Sequence, residues 1–216
     1  MAPPFLAYYA VATQNTTLLM DTVNQFTLQR QILLDNTTDS YHGLWEHIVG
    51  PSDTQPQLWS TGNGWVAAGM ARVLATVQNW GPSSNWTVQQ DLLKQYIKEI
   101  IDGAMNTSKD DGLLRNDLND TAWFGETSGT ALLTSVVYRM AVAAPEVFND
   151  TYISWADSNR IAVAAHVNGS GILSPAINPL SWGDETPYTS GSPEGQSFGV
   201  LLYAAYRDCV CKSFCN

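Results

Sequence analysis

Three glycines at nearly equal spacing constrain the fold of this chain more than any other feature. Gly64, Gly129 and Gly195 are 65 and 66 residues apart, and each begins an apolar stretch that favours a helix. A tryptophan stands in the loop before each glycine: Trp59, Trp123 and Trp182. A constant offset of this size is typical of a repeated supersecondary unit. We therefore expect three copies of a unit about two helices long.

Hydrophobic periodicity predicts seven helices in antiparallel pairs. They cover residues 4–14, 17–34, 64–77, 88–105, 129–143, 152–167 and 195–206. The segment 88–105 is amphipathic, as an outer helix half exposed to solvent would be. Short strands are predicted at 112–115 and 171–175, and a hairpin or extended loop at 39–49. With no real sheet, the predicted fold is an all-α toroid of helical hairpins, one domain over residues 1–216.

The acidic composition excludes two classes of partner. Lys and Arg number 10 against 20 Asp and Glu, for a formal charge of −10, and no basic run occurs. Such a chain is a poor partner for nucleic acid or an anionic membrane. No apolar run reaches the ~18 residues that span a bilayer. At 216 residues and 44% hydrophobic, the chain is long enough to bury a core.

Seven Asn-X-Ser/Thr sequons indicate a secreted glycoprotein. They begin at Asn15, Asn36, Asn85, Asn106, Asn119, Asn149 and Asn168. Glycans are attached at the surface of secreted proteins, so these asparagines should be exposed. A polar surface without glycans is the alternative. Residues 1–10 lack the basic start and apolar core of a signal peptide, which is therefore expected upstream of Met1.

Three cysteines stand close together near the end of the sequence: Cys209, Cys211 and Cys215. In a secreted chain an odd number leaves one cysteine without a partner, which is expected upstream of Met1. A metal site is the alternative, although three cysteines with no nearby histidine fall short of a structural zinc set. The pairing among the three stays open.

The repeat predicts where a functional site would lie. If the inner helices are parallel, the loops before them meet at one end of the toroid and line one cleft. Flat apolar faces for stacking on sugar rings would come from Trp59, Trp65, Trp123 and Trp182. Hydrogen bonds to sugar hydroxyls would come from His42, Asn63, Glu126, Asp184 and Glu185.

Each of these residues also has a structural interpretation. A single tryptophan more often packs in a core than binds a ligand, and an isolated histidine such as His42 is commonly structural. Glu126 could cap the inner helix that follows it and interact favourably with the helix dipole. The recurrence of tryptophan at one repeat position favours the functional interpretation.

Five motifs are spread over almost the whole chain: MAPPFLA at 1–7, YHG at 41–43, WSTGNGW at 59–65, ETSGTA at 126–131 and SPEGQ at 192–196. Together they resemble the unsaturated rhamnogalacturonyl hydrolases of glycoside hydrolase family 105, fungal members in particular, and the related unsaturated glucuronyl hydrolases of family 88. The resemblance implies a six-hairpin (α/α)6 toroid, of which this chain would be the C-terminal part. It also implies removal of a 4,5-unsaturated uronic acid from pectin-derived oligosaccharides, with no metal or organic cofactor.

In the family this chain resembles, an aspartate protonates the sugar's enol-ether double bond and activates water. The resemblance sets this aspartate upstream of Met1 and leaves His42 as the catalytic candidate within the chain, so the chain alone should be slow. It implies substrate contacts for Trp59, Asn63, Trp65, Glu126 and Trp182. Many relatives carry arginine, suited to a substrate carboxylate, where this chain has Thr61. A different or neutral sugar is therefore an alternative.

Two other functions are compatible with the same residues. An inverting glycosidase would use two of Glu126, Asp184 and Glu185, with the carboxyl groups roughly 6.5 to 9.5 Å apart. A toroid could also bind oligosaccharide without cleaving it. Activity that appears on adding upstream sequence would favour the enzyme.

Overall fold

Seven α-helices make up most of the structure. The computed structural model describes residues 2–35, 41–181 and 183–216. Within those residues the helices are α1 Ala2–Ala12, α2 Thr16–Leu33, α3 Ser60–Asn79, α4 Thr87–Met105, α5 Thr127–Ala143, α6 Asp150–Ala165 and α7 Pro193–Cys211. Two small antiparallel hairpins pair β1 Ile48–Val49 with β2 Thr54–Gln55, and β3 Lys109–Asp110 with β4 Leu113–Leu114. The predicted all-α fold is confirmed.

The helices form two layers. In the inner layer α1 packs on α3, α3 on α5, and α5 on α7. In the outer layer α2, α4 and α6 each pack on the inner helix that precedes them. Because the two helices of a hairpin run in opposite directions, the inner helices are parallel to one another. The segments that precede α3, α5 and α7 therefore lie at one end of the array, which we call the loop end.

The pattern of apolar residues in α4 determines that this helix lies in the outer layer. Leu93, Ile97, Ile100 and Ile101 are fully buried and recur at helical spacing. Burying each such side chain contributes roughly 1.5–3 kcal/mol. Val88, near the start of the helix, is exposed. One apolar face against the inner layer and one solvated face make α4 an outer helix, as predicted.

The repeated glycines lie where inner helices approach each other closely. A Cβ atom on Gly129 would come within 2.3 Å of Ser60 Oγ on α3. A Cβ atom on Gly195 would come within 2.9 Å of Ser128 Oγ on α5. A side chain at either position would force the helices apart, so the repeat in the sequence reflects helix packing.

The inner helices begin before the repeated glycines, not at them as predicted. Glu126 and Ser192 accept hydrogen bonds from backbone N–H groups in the first turns of α5 and α7. Trp59 occupies the same position before α3 without such a bond. Because a cap satisfies backbone donors that have no partner inside the helix, the capping residue sets the start of α5 and α7.

The first and last helices expose large apolar side chains. On α1 Phe5 is 66% exposed, and Tyr8 and Tyr9 are about half exposed. On α7 Val200 is 70% exposed. Each of these helices has one inner-layer neighbour: α1 packs on α2 and α3, and α7 packs on α5. Both α1 and α7 therefore have an apolar face that no other described helix covers.

Six sequon asparagines are exposed, as predicted: Asn15, Asn85, Asn106, Asn119, Asn149 and Asn168. The seventh, Asn36, lies outside the described residues. Asn15 and Asn149 also cap α2 and α6 as hydrogen-bond acceptors. That role uses the side-chain oxygen and leaves the amide nitrogen, to which a glycan would be attached, outside the cap.

A disulfide bond joins Cys209 to Cys215 at the end of α7, and Cys211 is an exposed free thiol. The odd cysteine of the sequence is therefore Cys211. Among the described residues, no group of three or more His, Cys, Asp or Glu side chains could hold a metal ion. The same part of the chain contains no helix with the length and apolar character of a membrane span.

Candidate functional site at the loop end

Trp59 lies in a polar and aromatic cluster at the loop end. Its indole Nε1 donates a hydrogen bond to Asn116 Oδ1 at 3.0 Å. Its ring meets the imidazole of His47 edge to face, with 4.8 Å between the centroids. A backbone bridge pairs Trp59 with Asp117. We call Trp59, His47, Asn116 and Asp117 the Trp59 cluster.

His47 is the half-buried titratable group of this cluster. Burial lowers the pKa of its imidazole, and the charge of Asp53 partly opposes that effect. The ring is therefore neutral at pH 7 and can both donate and accept a hydrogen bond. The sequence-based prediction names His42 and does not include His47. The alternation of aromatic and polar residues through Trp45, Glu46 and His47 was the signal that could have found it.

Two buried residues after β4 position Trp59 and were not among the sequence-predicted site residues. Asn116 is the acceptor for its indole, and Asp117 Oδ1 accepts the N–H of the preceding residue, Leu58, at 3.1 Å. Burial raises the pKa of Asp117, while backbone hydrogen bonds from Leu58 and Asn119 oppose the rise. In the sequence, the one feature that could have indicated these two residues is that they form an Asn-Asp pair just after a short apolar strand.

Asn63 joins the segment before β1 to α3. Its Oδ1 accepts the N–H of Trp45 at 2.9 Å, and its Nδ2 donates to the carbonyl oxygens of Trp45 and Trp59 at 3.0 and 3.1 Å. The side chain is 1% exposed. In this structure Asn63 positions the two tryptophans and is not open to a ligand, which corrects the predicted direct contact with substrate.

Glu126 is fully buried at the contact between α3 and α5. Its Oε1 accepts from Ser60 Oγ at 2.9 Å and Thr61 Oγ1 at 3.3 Å, and its carboxylate also accepts the N–H groups of Ser128 and Gly129. Burial raises the pKa of Glu126, and the hydrogen bonds from Gly129, Ser60 and Ser128 oppose the rise. The structure places Glu126 as a helix cap, so it offers no direct contact to a sugar. Thr61 belongs to the same buried contact.

Trp65 and His42 lie against different layers. The half-buried indole of Trp65 packs edge to face on Phe198 of α7, with 5.1 Å between the centroids. His42 is exposed, and the adjoining Gly43 rests on α4, where a Cβ atom would come within 2.2 Å of the carbonyl oxygen of Glu99. Among the described residues, no ring or hydrogen-bond contact joins Trp65 to His42. The structure thus brings Trp59 and Asn63 together and leaves His42 on the outer layer.

The loop before α7 holds the remaining predicted residues. Asp184 accepts hydrogen bonds from Asn178 Nδ2 and the Thr186 N–H, both at 3.0 Å, and these bonds lower the pKa of Asp184. Glu185 is exposed. Trp182 lies outside the described residues, and its role stays a prediction. Because Glu126 is buried, it does not form a solvent-facing acid pair with either carboxylate.

Known proteins match this chain in sequence pattern and in fold. A family model described as Glycosyl Hydrolase Family 88 matches residues 1–174. A comparison with curated protein sequences found no match. A possible member of the GH105 family from Salmonella enterica has a similar structure, with a TM-score of 0.79 and 20% identity over 94% of this chain and 53% of that one. For a family 88 glycosyl hydrolase from Bacteroides vulgatus the TM-score is 0.72, with 20% identity over 98% and 60%.

A third similar structure is described as UGL with dGlcA-Glc-Rha-Glc, at a TM-score of 0.68 and 14% identity over 95% of this chain and 56% of that one. At such identities the likeness establishes the fold alone. This chain spans about half the length of the solved structures, 53% of the Salmonella protein. The family model, by contrast, covers most of the chain. The chain therefore belongs to Glycosyl Hydrolase Family 88.

Proposed function

We propose that the chain acts in a glycoside hydrolase that removes a 4,5-unsaturated uronic acid from the non-reducing end of pectin-derived oligosaccharides. The family match over residues 1–174 is the observation that carries this proposal. One structural neighbour is described with the oligosaccharide dGlcA-Glc-Rha-Glc, which agrees with a sugar substrate. The Trp59 cluster is the proposed binding surface.

In this proposal Trp59 presents its ring to a sugar face, and His47 bonds a hydroxyl group. Asn116 holds the indole through its Nε1, and Asn63 holds the backbone of Trp59. Both supports are almost fully buried, so the ring is held before substrate arrives. A preorganised aromatic surface loses little side-chain entropy on binding. His42, Trp65 and Trp182 stay proposed contacts for more distant parts of the oligosaccharide.

Hydration of a 4,5 double bond needs an acid that protonates the enol ether and a base that activates water. Asp117 and Glu126 are buried and held by internal hydrogen bonds, so neither supplies that proton in our proposal. The acid would be the aspartate that the family resemblance sets upstream of Met1. Since a positioned acid contributes ~10²- to 10⁴-fold to the rate, the 216 residues alone should be slow.

Binding of oligosaccharide without cleavage is the second candidate function. The Trp59 cluster is partly exposed and could bind a sugar, whereas the carboxyl groups of Asp117 and Glu126 are buried and supply no proton. This combination favours binding without cleavage. The two candidates predict the same binding surface and differ in turnover. A binding measurement and a turnover measurement on one protein therefore separate them.

The experiment uses an unsaturated uronyl disaccharide. Calorimetry measures its binding, and loss of its ultraviolet absorbance measures turnover. Trp59→Ala should weaken binding about 10-fold or more, because truncating a central aromatic anchor typically costs over 1 kcal/mol. Trp86→Ala, at the opposite end of the helices, is the matched control and should bind normally. Equal binding by both variants would refute the site, and full turnover by the 216-residue chain would refute the role of the upstream acid.

We also propose that the protein is secreted and glycosylated. The exposure of six sequon asparagines supports this proposal. Expression in a eukaryotic host should give a protein whose mass falls on enzymatic removal of N-glycans. An unchanged mass would contradict it.

A further inference from the structure

The sequons stand in pairs around the outer helices. One precedes each outer helix, in the turn that joins it to the inner helix before it: Asn15 before α2, Asn85 before α4 and Asn149 before α6. One follows each outer helix: Asn36 after α2, Asn106 after α4 and Asn168 after α6. Asn36 lies outside the described residues, so its place comes from the sequence alone. The members of a pair are 21, 21 and 19 residues apart, and six of the seven sequons thus follow the helical repeat.

The side-chain nitrogen of the described sequon asparagines is open for attachment. Oδ1 of Asn15, Asn149 and Asn168 accepts backbone N–H bonds from the residues that follow. Among the described residues, no sequon asparagine donates a hydrogen bond through its Nδ2. Two asparagines outside sequons differ, because Nδ2 of Asn63 and of Asn79 donates to a carbonyl oxygen. The sequon side chains therefore present the nitrogen to which an N-glycan is joined.

The hydroxyl residues of the sequons form few contacts that would explain them. Thr17, Thr87, Thr151 and Ser170 are exposed, and none of these side chains hydrogen-bonds to another described residue. The capping of α2 and α6 accounts for an asparagine at the first position of two sequons. It does not account for a Ser or Thr two residues later. The complete sequon is thus present where the helix needs at most its first residue.

The turns between inner and outer helices are exposed. Thr13 and Gln14 are exposed in the turn before α2, Gly81 and Pro82 in the turn before α4, and Pro145 in the turn before α6. Exposed turns with small and polar residues are preferred sites of proteolytic cleavage. Each of these three turns contains a sequon asparagine.

The concave face, which is the side of the inner helices away from the outer layer, is different. It contains a cavity with Arg72 and Lys212 among its lining residues, and no described sequon asparagine lines that cavity. The seventh sequon, Asn119, is two residues after Asp117 at the loop end and belongs to no pair. Glycans on the paired positions would therefore surround the outer layer and leave the concave face uncovered.

We propose that N-glycans stand at both ends of the outer helices and shield the turns between inner and outer helices from proteases. This inference rests on the proposed secretion and glycosylation, and it adds which asparagines carry glycans and what the glycans do. A glycan is bulky and hydrophilic. On Asn15, Asn85 or Asn149 it lies within a turn and keeps a protease away from the backbone there.

Mass spectrometry of the chain secreted from a eukaryotic host measures the occupied positions, because enzymatic release of an N-glycan converts its asparagine to aspartate. Glycans are expected on Asn15, Asn85, Asn106, Asn149 and Asn168. Glycans confined to Asn119, or to one end of the outer helices, would overturn the proposed pattern and leave the proposed glycosylation intact. A chain without any glycan would refute both.

Limited proteolysis with a protease of broad specificity tests the shielding. Thr17→Ala removes the sequon of Asn15, whereas Thr16→Ala, at the neighbouring exposed threonine, leaves it intact and is the matched control. Cleavage within residues 12–16 should be at least about threefold faster in Thr17→Ala than in the native glycoprotein. Thr16→Ala should match the native rate. Equal rates for the two variants would overturn the shielding.

Enzymatic removal of the glycans from the folded native chain gives a second measurement, which no folding defect of a variant can affect. Cleavage within residues 12–16, 80–86 and 144–149 should become faster after removal, while the circular dichroism spectrum stays the same. Unchanged cleavage in these turns would contradict the proposal. Faster cleavage over the whole chain would also contradict it, because the glycans would then stabilise the fold instead of covering the turns.

Discussion

The loop end and the concave face are built on the same inner helices but differ in how their polar groups are satisfied. At the loop end Glu126 and Asn63 are buried, each with at least three internal hydrogen bonds. On the concave face Arg72 and Lys212 are exposed. Depriving a buried polar group of its partner costs about 1–3 kcal/mol, whereas an exposed cation keeps its water. The buried side chains at the loop end are therefore held in one geometry, whereas the exposed side chains on the concave face can change conformation.

The strongest test of this contrast is Glu126→Ala. It leaves buried hydroxyl and N–H donors of α3 and α5 without their acceptor, so we expect a loss of about 3 kcal/mol or more in the free energy of unfolding. Denaturant unfolding followed by circular dichroism measures it. Glu185→Ala, at an exposed site, is the control and should change stability by less than about 0.5 kcal/mol. A loss under about 1 kcal/mol for Glu126→Ala would mean that the network is not rigid.

Gly129→Ala tests the close approach of α3 and α5. The added methyl group would meet Ser60 Oγ at 2.3 Å, and overpacking of this kind costs about 1–3 kcal/mol. Gly81→Ala is the matched control, because a Cβ atom at Gly81 meets nothing within 4 Å. Thermal unfolding of both variants gives the comparison. Equal melting temperatures would show that the inner helices can move apart freely.

The pH dependence of stability tests the environment of His47. Burial lowers its folded pKa below the ordinary 6.5, so the unfolded chain takes up a proton first as the pH falls. The contribution of His47 is therefore fully present above pH 6.5 and is lost on acidification through the window below it. The effect should stay below about 1 kcal/mol because the ring is half exposed.

The measurement compares unfolding at pH 7.5 and 5 for the native chain and for His47→Gln. The native chain should lose more stability on acidification than the variant does. His42→Gln, at an exposed position, should follow the native profile. Parallel profiles for the native chain and His47→Gln would show that the imidazole is fully solvated.

The smallest stability effect is expected on the concave face. Arg72→Gln should change the free energy of unfolding by less than about 0.5 kcal/mol, because the side chain is exposed and unpaired. Urea unfolding of the native chain and the variant measures this. A loss of 1 kcal/mol or more would mean that Arg72 contributes to packing. The polar groups of the two regions would then contribute to stability in similar ways.

Much of the fold follows from local patterns in the sequence. The seven predicted helices are present, with boundaries that moved by a few residues where Glu126 and Ser192 cap α5 and α7. Helical periodicity is a property of neighbouring residues, so it can be read without the tertiary structure. The repeated glycines were found for the same reason, although their cause, the contact with a neighbouring inner helix, shows only in three dimensions.

The candidate site was harder to predict. Trp59 was found because tryptophan recurs in the repeated loops. His47, Asn116 and Asp117 were missed because their part in the site depends on burial and on partners 12 to 59 residues away in sequence. Asp117, for example, accepts the N–H of Leu58 and pairs with the backbone of Trp59. Asn63 and Glu126 have side chains that could bind a sugar equally well when exposed, and burial decided their role.

The sequence by itself determined the helical hairpins, their repeat, the acidic charge and the family, because each depends on residue type and spacing along the chain. Only the tertiary structure decided which polar side chains are satisfied inside the protein and which remain open. It placed Glu126 between two helices, joined Cys209 to Cys215 and gathered Arg72, Arg139 and Lys212 in one cavity. The physical reason is that desolvation and hydrogen bonding depend on atoms brought together from distant parts of the chain.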